Sequence, residues 1–239
     1  HVHYKVCSTF DSSPTIGSIG CAIDVGAEIF GGRFVPVLAA APALGRYTLF
    51  GNHFARVGIG SDGAIHRLDR HPVMSRHPST PMDEADLRLH LARRTSRKLG
   101  LVDILDLASP QPSSVSLALE RELGRGASIV LFDALHEQHL SRIGEVLDAE
   151  ATRSGGPLFS VGSSAIEMAL GAHWRATEAR PATPVQDPRF DAAPLLVVSG
   201  SCSPVTDRQI ACAPAAGYQG LAPAPAAPSP ATATPETPV

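Results

Sequence analysis

Three segments gather side chains that could bind or move an anion. The first runs from His3 through Tyr4-Lys5-Val6-Cys7-Ser8-Thr9-Phe10-Asp11-Ser12-Ser13 and on to Gly17 and Gly20. A strand over Tyr4 to Ser8 would deliver Lys5, Ser8, Thr9, Asp11, Ser12 and Ser13 to its C-terminal end, the edge where open α/β sheets bind ligands. One Lys and one Asp beside four hydroxyls exceed what a single helix cap requires, although Ser and Asp are also common caps. The second segment, Ala41 to Asn52, follows an expected buried strand and places Arg46 in a loop bounded by glycines. A guanidinium offers a planar fork of donors that matches a carboxylate; the alternative is a surface loop charge. The third segment, Arg67 to Met82, holds Arg67, Arg70, His71, Arg76 and His77 ahead of an expected helix start at Thr80. That reads either as an anion site or as a solvated basic loop whose His-Pro pairs merely turn the chain.

Other signals carry less. Leu158 to Ser164 and Leu196 to Ser203 each run from an apolar strand through Gly and Ser into a helix, letting backbone N–H groups approach an anion. Neither is a Walker motif, because no Gly-Lys-Ser/Thr follows. His136 and His139, with Asp133 and Glu137 nearby, have a spacing more typical of a solvated helix face than of a metal site, and no metal is expected. Cys7 has no base assignable by spacing and reads as a small buried hydrophobe.

Elements must hold these segments in place. Short β-rich runs at Tyr4 to Ser8, Val35 to Ala40, Leu101 to Leu105, Ser128 to Phe132, Leu158 to Val161 and Leu195 to Ser199 alternate with helical periods. Helices are expected at Pro81 to Leu99, capped by Thr80 and stopped by Gly100, and at Ser114 to Leu123, His136 to Glu150 and Ser163 to Arg175. This alternation predicts an α/β fold, a layered and mainly parallel sheet with flanking helices. Residues 1–175 form its main domain. The Pro-rich stretch 176–194 reads as a linker, 195–221 as the start of a second α/β domain, and the Ala/Pro/Thr tail 222–239 as disordered.

The 239 residues, 44% hydrophobic, can bury a sizeable core. No apolar run reaches the roughly 18 residues of a membrane helix, so no membrane partner is expected. A net charge of −3 gives no global basic field, and nucleic acid is not an expected partner. Four cysteines without zinc spacing suit reduced thiols in a cytoplasmic protein. The chain opens with His1 on an expected strand, without an initiator Met, and reads as a fragment.

Together, and in this order, the stretches Tyr4 to Gly20, Ala41 to Asn52, Arg70 to Leu87, Leu158 to Leu170 and Leu195 to Ile210 resemble the four-carbon acid sugar kinase family. The wording Tyr4-Lys-Val-Cys-Ser-Thr-Phe-Asp-Ser-Ser-Pro14, with Asp69-Arg-His-Pro72, is similar to the subgroup that includes 3-oxo-isoapionate kinases. The resemblance implies an N-terminal substrate domain and a C-terminal nucleotide domain. It further implies ATP-dependent phosphorylation of a hydroxyl of a small sugar acid such as threonate, erythronate, 3-oxo-tetronate or 3-oxo-isoapionate, with Mg²⁺ as cofactor. On that pattern Asp11 is catalytic, and Lys5, Ser12, Arg46, His71, Arg76 and His77 bind substrate. Ser199, Gly200, Ser201 and Ser203 open the nucleotide site. Three departures stand out: the family's upstream Asp-Asp-x-Thr-Gly motif and its Gly-rich ATP loops are missing from this chain, and Cys21 sits where relatives usually have Arg. The chain therefore reads as a kinase truncated to inactivity or, alternatively, as a non-catalytic sugar-acid-binding module; homo-oligomerisation is left open.

Overall fold

The computed structural model describes residues 1–13, 16–58, 62–177, 195–199 and 204–221. Five short strands form its centre: β1 (Val2–Lys5), β2 (Val35–Leu38), β6 (Leu99–Val102), β7 (Ile129–Phe132) and β8 (Phe159–Gly162). They lie in the order β1-β8-β2-β7-β6, and every pair is parallel. β2 and β7 are buried at every position, as a sheet covered on both faces requires. The pleat sorts their side chains: Val35, Val37, Ile129 and Leu131 join one core, and Leu38, Val130 and Phe132 the other.

The first core is closed by α1 (Ile19–Phe30), which contributes Ile19 and Ile23, and by the short α2 (Leu87–Ala92), which contributes Leu87 and Leu91. α1 can lie against β8 because position 26 is Gly: a Cβ there would stand 2.1 Å from the Phe159 ring. The opposite core is covered by α3 (Ile104–Ala108), α4 (Ser114–Gly124), α5 (Glu137–Ser154) and α6 (Ala165–Ala176). The result is the expected layered α/β fold with a mainly parallel sheet.

Several sequence expectations are corrected. The helix from Pro81 to Leu99 shrinks to α2, capped by Asp86 rather than Thr80. The backbone ahead of it bonds elsewhere, Met82 N–H to the Met74 carbonyl and the Ala85 carbonyl to His53 N–H, so it cannot coil. Leu99 and Gly100 open strand β6, and Ile104 and Leu105 belong to α3, whose start is capped by Asp103. A second sheet was not foreseen: β3 (Arg46–Leu49), β4 (Asn52–Arg56) and β5 (Ile65–Arg67) form an antiparallel meander. Arg46 therefore begins a strand, entered through left-handed Gly45 (φ 68°), and does not sit in a loop. This meander joins the parallel sheet where Thr48 and Ala134 exchange backbone hydrogen bonds of 3.0 and 3.1 Å.

By its contacts the chain divides into His1–Pro184 and Val185–Val239. In the second unit, Leu195–Ser199 belongs to no strand, contrary to expectation, and Leu195 to Val198 are exposed. It is followed by α7 (Pro204–Cys212) and one 3₁₀ turn. Nearly all of the expected linker, and the whole tail from Ala222, lie outside the described residues. No helix among the described residues is long and apolar enough to cross a membrane.

Candidate functional site

β1 ends at Lys5, and the chain then makes a tight turn from Cys7 to Asp11. Phe10 N–H bonds the Cys7 carbonyl at 2.9 Å, and buried Phe10 takes a left-handed φ of 55°, unusual for a bulky side chain. Inside the turn the Thr9 hydroxyl donates to Asp11 Oδ1 at 2.7 Å and lies 3.1 Å from the Cys7 thiol. Cys7 is an exposed free thiol, not the buried hydrophobe its sequence context suggested. Lys5 is exposed at the strand end, its Nζ donating to the Val6 carbonyl at 3.0 Å. The buried Ser12 hydroxyl accepts from Ile19 N–H at 3.0 Å, so it fixes the start of α1.

Arg46 faces this turn from β3. The residue is 6% exposed, and Nη1 donates to the carbonyls of Leu44, Gly45 and Arg56 at 3.0, 3.3 and 3.0 Å. Nε is buried without a partner. Buried charges are normally matched by an opposite charge in contact. Here the guanidinium is met by neutral carbonyls, and burial pulls its pKa below the ordinary arginine value while Cys7, Asp11 and Tyr47 oppose that shift from a distance. An arginine stays ionised despite such a shift. This is a buried cation on β3 within electrostatic reach of Cys7 and Asp11, and suited to an anionic ligand.

His71 is the second member. It is buried, its Nδ1 accepts from the N–H groups of Val73 and Met74 at 3.2 Å, and Nε2 meets no partner of regular geometry. Burial lowers its pKa first, then the charge of Arg46 and the neighbouring His66; the Arg56 carbonyl acts in the opposite sense. The rest of the basic segment disperses. Arg67 pairs with Asp69 at 2.6 Å, Arg76 ends a 3₁₀ turn exposed, and His77 Nδ1 accepts from Thr80 N–H at 3.1 Å. Both His-Pro pairs thus shape turns, and no helix begins at Thr80. Of the residues expected at the nucleotide site, Ser199 is described, whereas Gly200, Ser201 and Ser203 lie outside the described residues.

Two further buried polar residues take part: His53, which sequence reasoning passed over, and Asp133, which it noted only beside the His136 and His139 pair. His53 on β4 is completely buried, its Nε2 2.8 Å from the Ser8 carbonyl and its Nδ1 2.9 Å from the Thr48 hydroxyl. Burial pushes its pKa down to about 4; the Ser8 carbonyl opposes this and Arg46 adds to it. Asp133, just beyond β7, accepts from the N–H groups of Phe50 (2.6 Å), Gly51 (3.0 Å) and Ile104 (3.1 Å). Burial nevertheless raises its pKa to about 6, with the Asp103 carboxylate adding to the rise, against those three donors. A lone His or Asp carries no spacing signal: Asp133 is placed by the end of β7, and only the unforeseen meander brings His53 to the Ser8 turn and the Phe50-Gly51 turn to Asp133. Among the described residues no group of three His, Cys, Asp or Glu could hold a metal ion.

Comparison with known proteins identifies the family of the domain. The family described as sugar-binding N-terminal domain matches residues 1–170. A 3-oxo-isoapionate kinase of Paraburkholderia graminis is 46% identical over 217 residues, covering 91% of this chain and 44% of that protein. A 3-oxo-tetronate kinase of Methylobacterium radiotolerans is 33% identical, covering 90% and 47%. The chain thus spans about half the length of these curated relatives. Among solved structures, a Haemophilus influenzae protein of the DUF1537 family superposes with a TM-score of 0.60 at 26% identity, covering 76% of this chain and 39% of that one. From the match over residues 1–170 and the fold it shares with that structure, the chain belongs to the family of sugar-binding N-terminal domains of the DUF1537 type.

Proposed function

We propose that this chain is the acceptor-binding half of an ATP-dependent kinase that phosphorylates a hydroxyl of a small sugar acid. The observation that carries the proposal is Arg46, a buried guanidinium within electrostatic reach of Cys7 and Asp11 and with no carboxylate in contact among the described residues. The kinase names of the relatives support it. In this reading Arg46 holds the substrate carboxylate, which needs a directional anion receptor more than a point charge. Asp11, oriented by Thr9, takes the acceptor hydroxyl, and Lys5 stands by the phosphoryl group in transit. Ser12, His71, Arg76 and His77 line or shape the acceptor side. ATP with Mg²⁺ supplies the phosphoryl group, and Ser199, Gly200, Ser201 and Ser203 belong to the turn proposed to meet it. Transfer of this kind depends mainly on positioning and charge stabilisation, so the acceptor residues act by holding the hydroxyl in line. The substrates favoured are 3-oxo-isoapionate and 3-oxo-tetronate, with threonate and erythronate as simpler members of the class.

The test is phosphorylation by a longer chain that carries both halves. With ATP and Mg²⁺ it should phosphorylate at least one of these acids, and Arg46→Lys should raise KM more than it lowers kcat. A longer chain that binds the acids and transfers no phosphate would establish the non-catalytic binding module instead.

A further inference from the structure

His53 belongs to neither the substrate list nor the hydrophobic core, yet it links four parts of the site. The Ser8 carbonyl can only accept, so Nε2 carries the proton, and Nδ1 accepts from the Thr48 hydroxyl. Thr48 and His53 are directly paired across β3 and β4, and the Thr48 backbone is bonded to Ala134 at the end of β7. A continuous path therefore runs from the parallel sheet through Thr48 and His53 to Ser8, inside the turn that carries Cys7, Thr9 and Asp11. The other side of that turn is backed by buried His90, whose ring meets Phe10 edge-on at 5.9 Å. A buried donor at position 53 has to be neutral, because a second cation would lie beside Arg46. The titratable and charged groups facing His53 fit this: Arg46 disfavours its protonation, and burial acts in the same direction.

We propose that His53 is a positioning residue of the acceptor site: through its single hydrogen bond to the Ser8 carbonyl it sets the Cys7 to Asp11 turn against Arg46. This rests on the acceptor-site reading above. The role is orientation, since His53 has no free nitrogen to offer a substrate.

The experiment uses the 239-residue chain with D-threonate as the probe, and compares His53→Phe, which fills the space without a donor, with His53→Gln, which keeps an N–H donor. Amide hydrogen exchange is followed at residues 8–12 and at 129–132, and threonate affinity is measured by calorimetry. In His53→Phe the turn amides should exchange about tenfold faster relative to those of β7, and threonate should bind about tenfold more weakly. His53→Gln should restore both to within about threefold. Uniform acceleration across both segments, or a Gln variant as impaired as the Phe variant, would overturn the proposal and leave His53 as a packing residue. Should His53→Phe not fold, His53→Leu, which likewise lacks a donor, replaces it: faster exchange confined to the turn supports positioning, and unchanged exchange contradicts it. Absence of threonate binding by the unaltered chain overturns the acceptor-site reading itself, while the exchange ratio still decides whether His53 sets the turn.

Discussion

At the scale of single residues, the account rests on the difference between a fork of donors and a point charge. Arg46→Lys keeps the charge but loses the planar geometry and the shared carbonyl contacts of Nη1. It should weaken sugar-acid binding by about tenfold in a calorimetric titration while the melting temperature moves by only a few degrees. Equal affinities for the two proteins would remove Arg46 from the site. Asp11→Asn, assayed in a chain carrying both halves, should lower kcat far more than it lowers the denaturation midpoint, because a positioned charge acts chiefly in the transition state. A lower midpoint with normal turnover would make Asp11 a structural cap of its turn. Lys5, Asp11 and Arg46 could be singled out in the sequence because few other reasons put such groups beside small residues, and their roles at the site are proposals. Ser12 and His77 show the limit of that reasoning, since their polar atoms hold Ile19 and Thr80 backbone groups, and no residue count separates a cap from a ligand.

At the scale of elements, the β3–β4 hairpin is the part that sequence patterning could not supply. Its strands are four and five residues long, and its two-residue turn is Phe50-Gly51, where Asn-Gly would have announced it. Both turn residues have positive φ, 49° and 82°, and Phe50 is 46% exposed, so its backbone is strained for little buried area. Phe50→Asn should therefore raise the melting temperature by a few degrees, since Asn tolerates this conformation at a saving of about 1 kcal/mol. A fall would show that the Phe50 ring makes contacts that outweigh the strain. Asp133 clamps the same turn. Because its folded pKa, about 6, lies above the ordinary Asp value, the native state binds the proton more tightly than the unfolded chain does. The stabilisation is complete below the unfolded pKa near 4 and is lost as pH rises through about 6, by about 3 kcal/mol at most. Chemical denaturation of wild type and Asp133→Asn across pH 4 to 7 should show the wild type losing stability relative to the variant as pH rises. Parallel pH dependences would place the titration elsewhere. The helices α4, α5 and α6, by contrast, were readable to within a few residues, because long apolar periods survive any local packing choice.

At the scale of the whole molecule, the strand and helix alternation sufficed to announce a parallel sheet with covered faces, and the order β1-β8-β2-β7-β6 then brings Lys5 and Asp133 to the ends from which ligands are reached. Strand pairing order is decided by distant contacts, which is why it could not be read from the chain. If donor and acceptor halves divide the work as proposed, the 239-residue chain with ATP and Mg²⁺ should transfer no phosphate to threonate, measured by phosphate incorporation; turnover would place the donor site within residues 1–239. The central claim, that a buried arginine makes this domain a receptor for the carboxylate of a sugar acid, is tested most directly by titrating the chain calorimetrically with D-threonate and with D-threitol, which keeps the hydroxyls and lacks the carboxylate. The account predicts saturable threonate binding, threitol weaker by about tenfold or more, and loss of that difference in Arg46→Lys. Equal binding of acid and alcohol, or a preference that survives in Arg46→Lys, would contradict it.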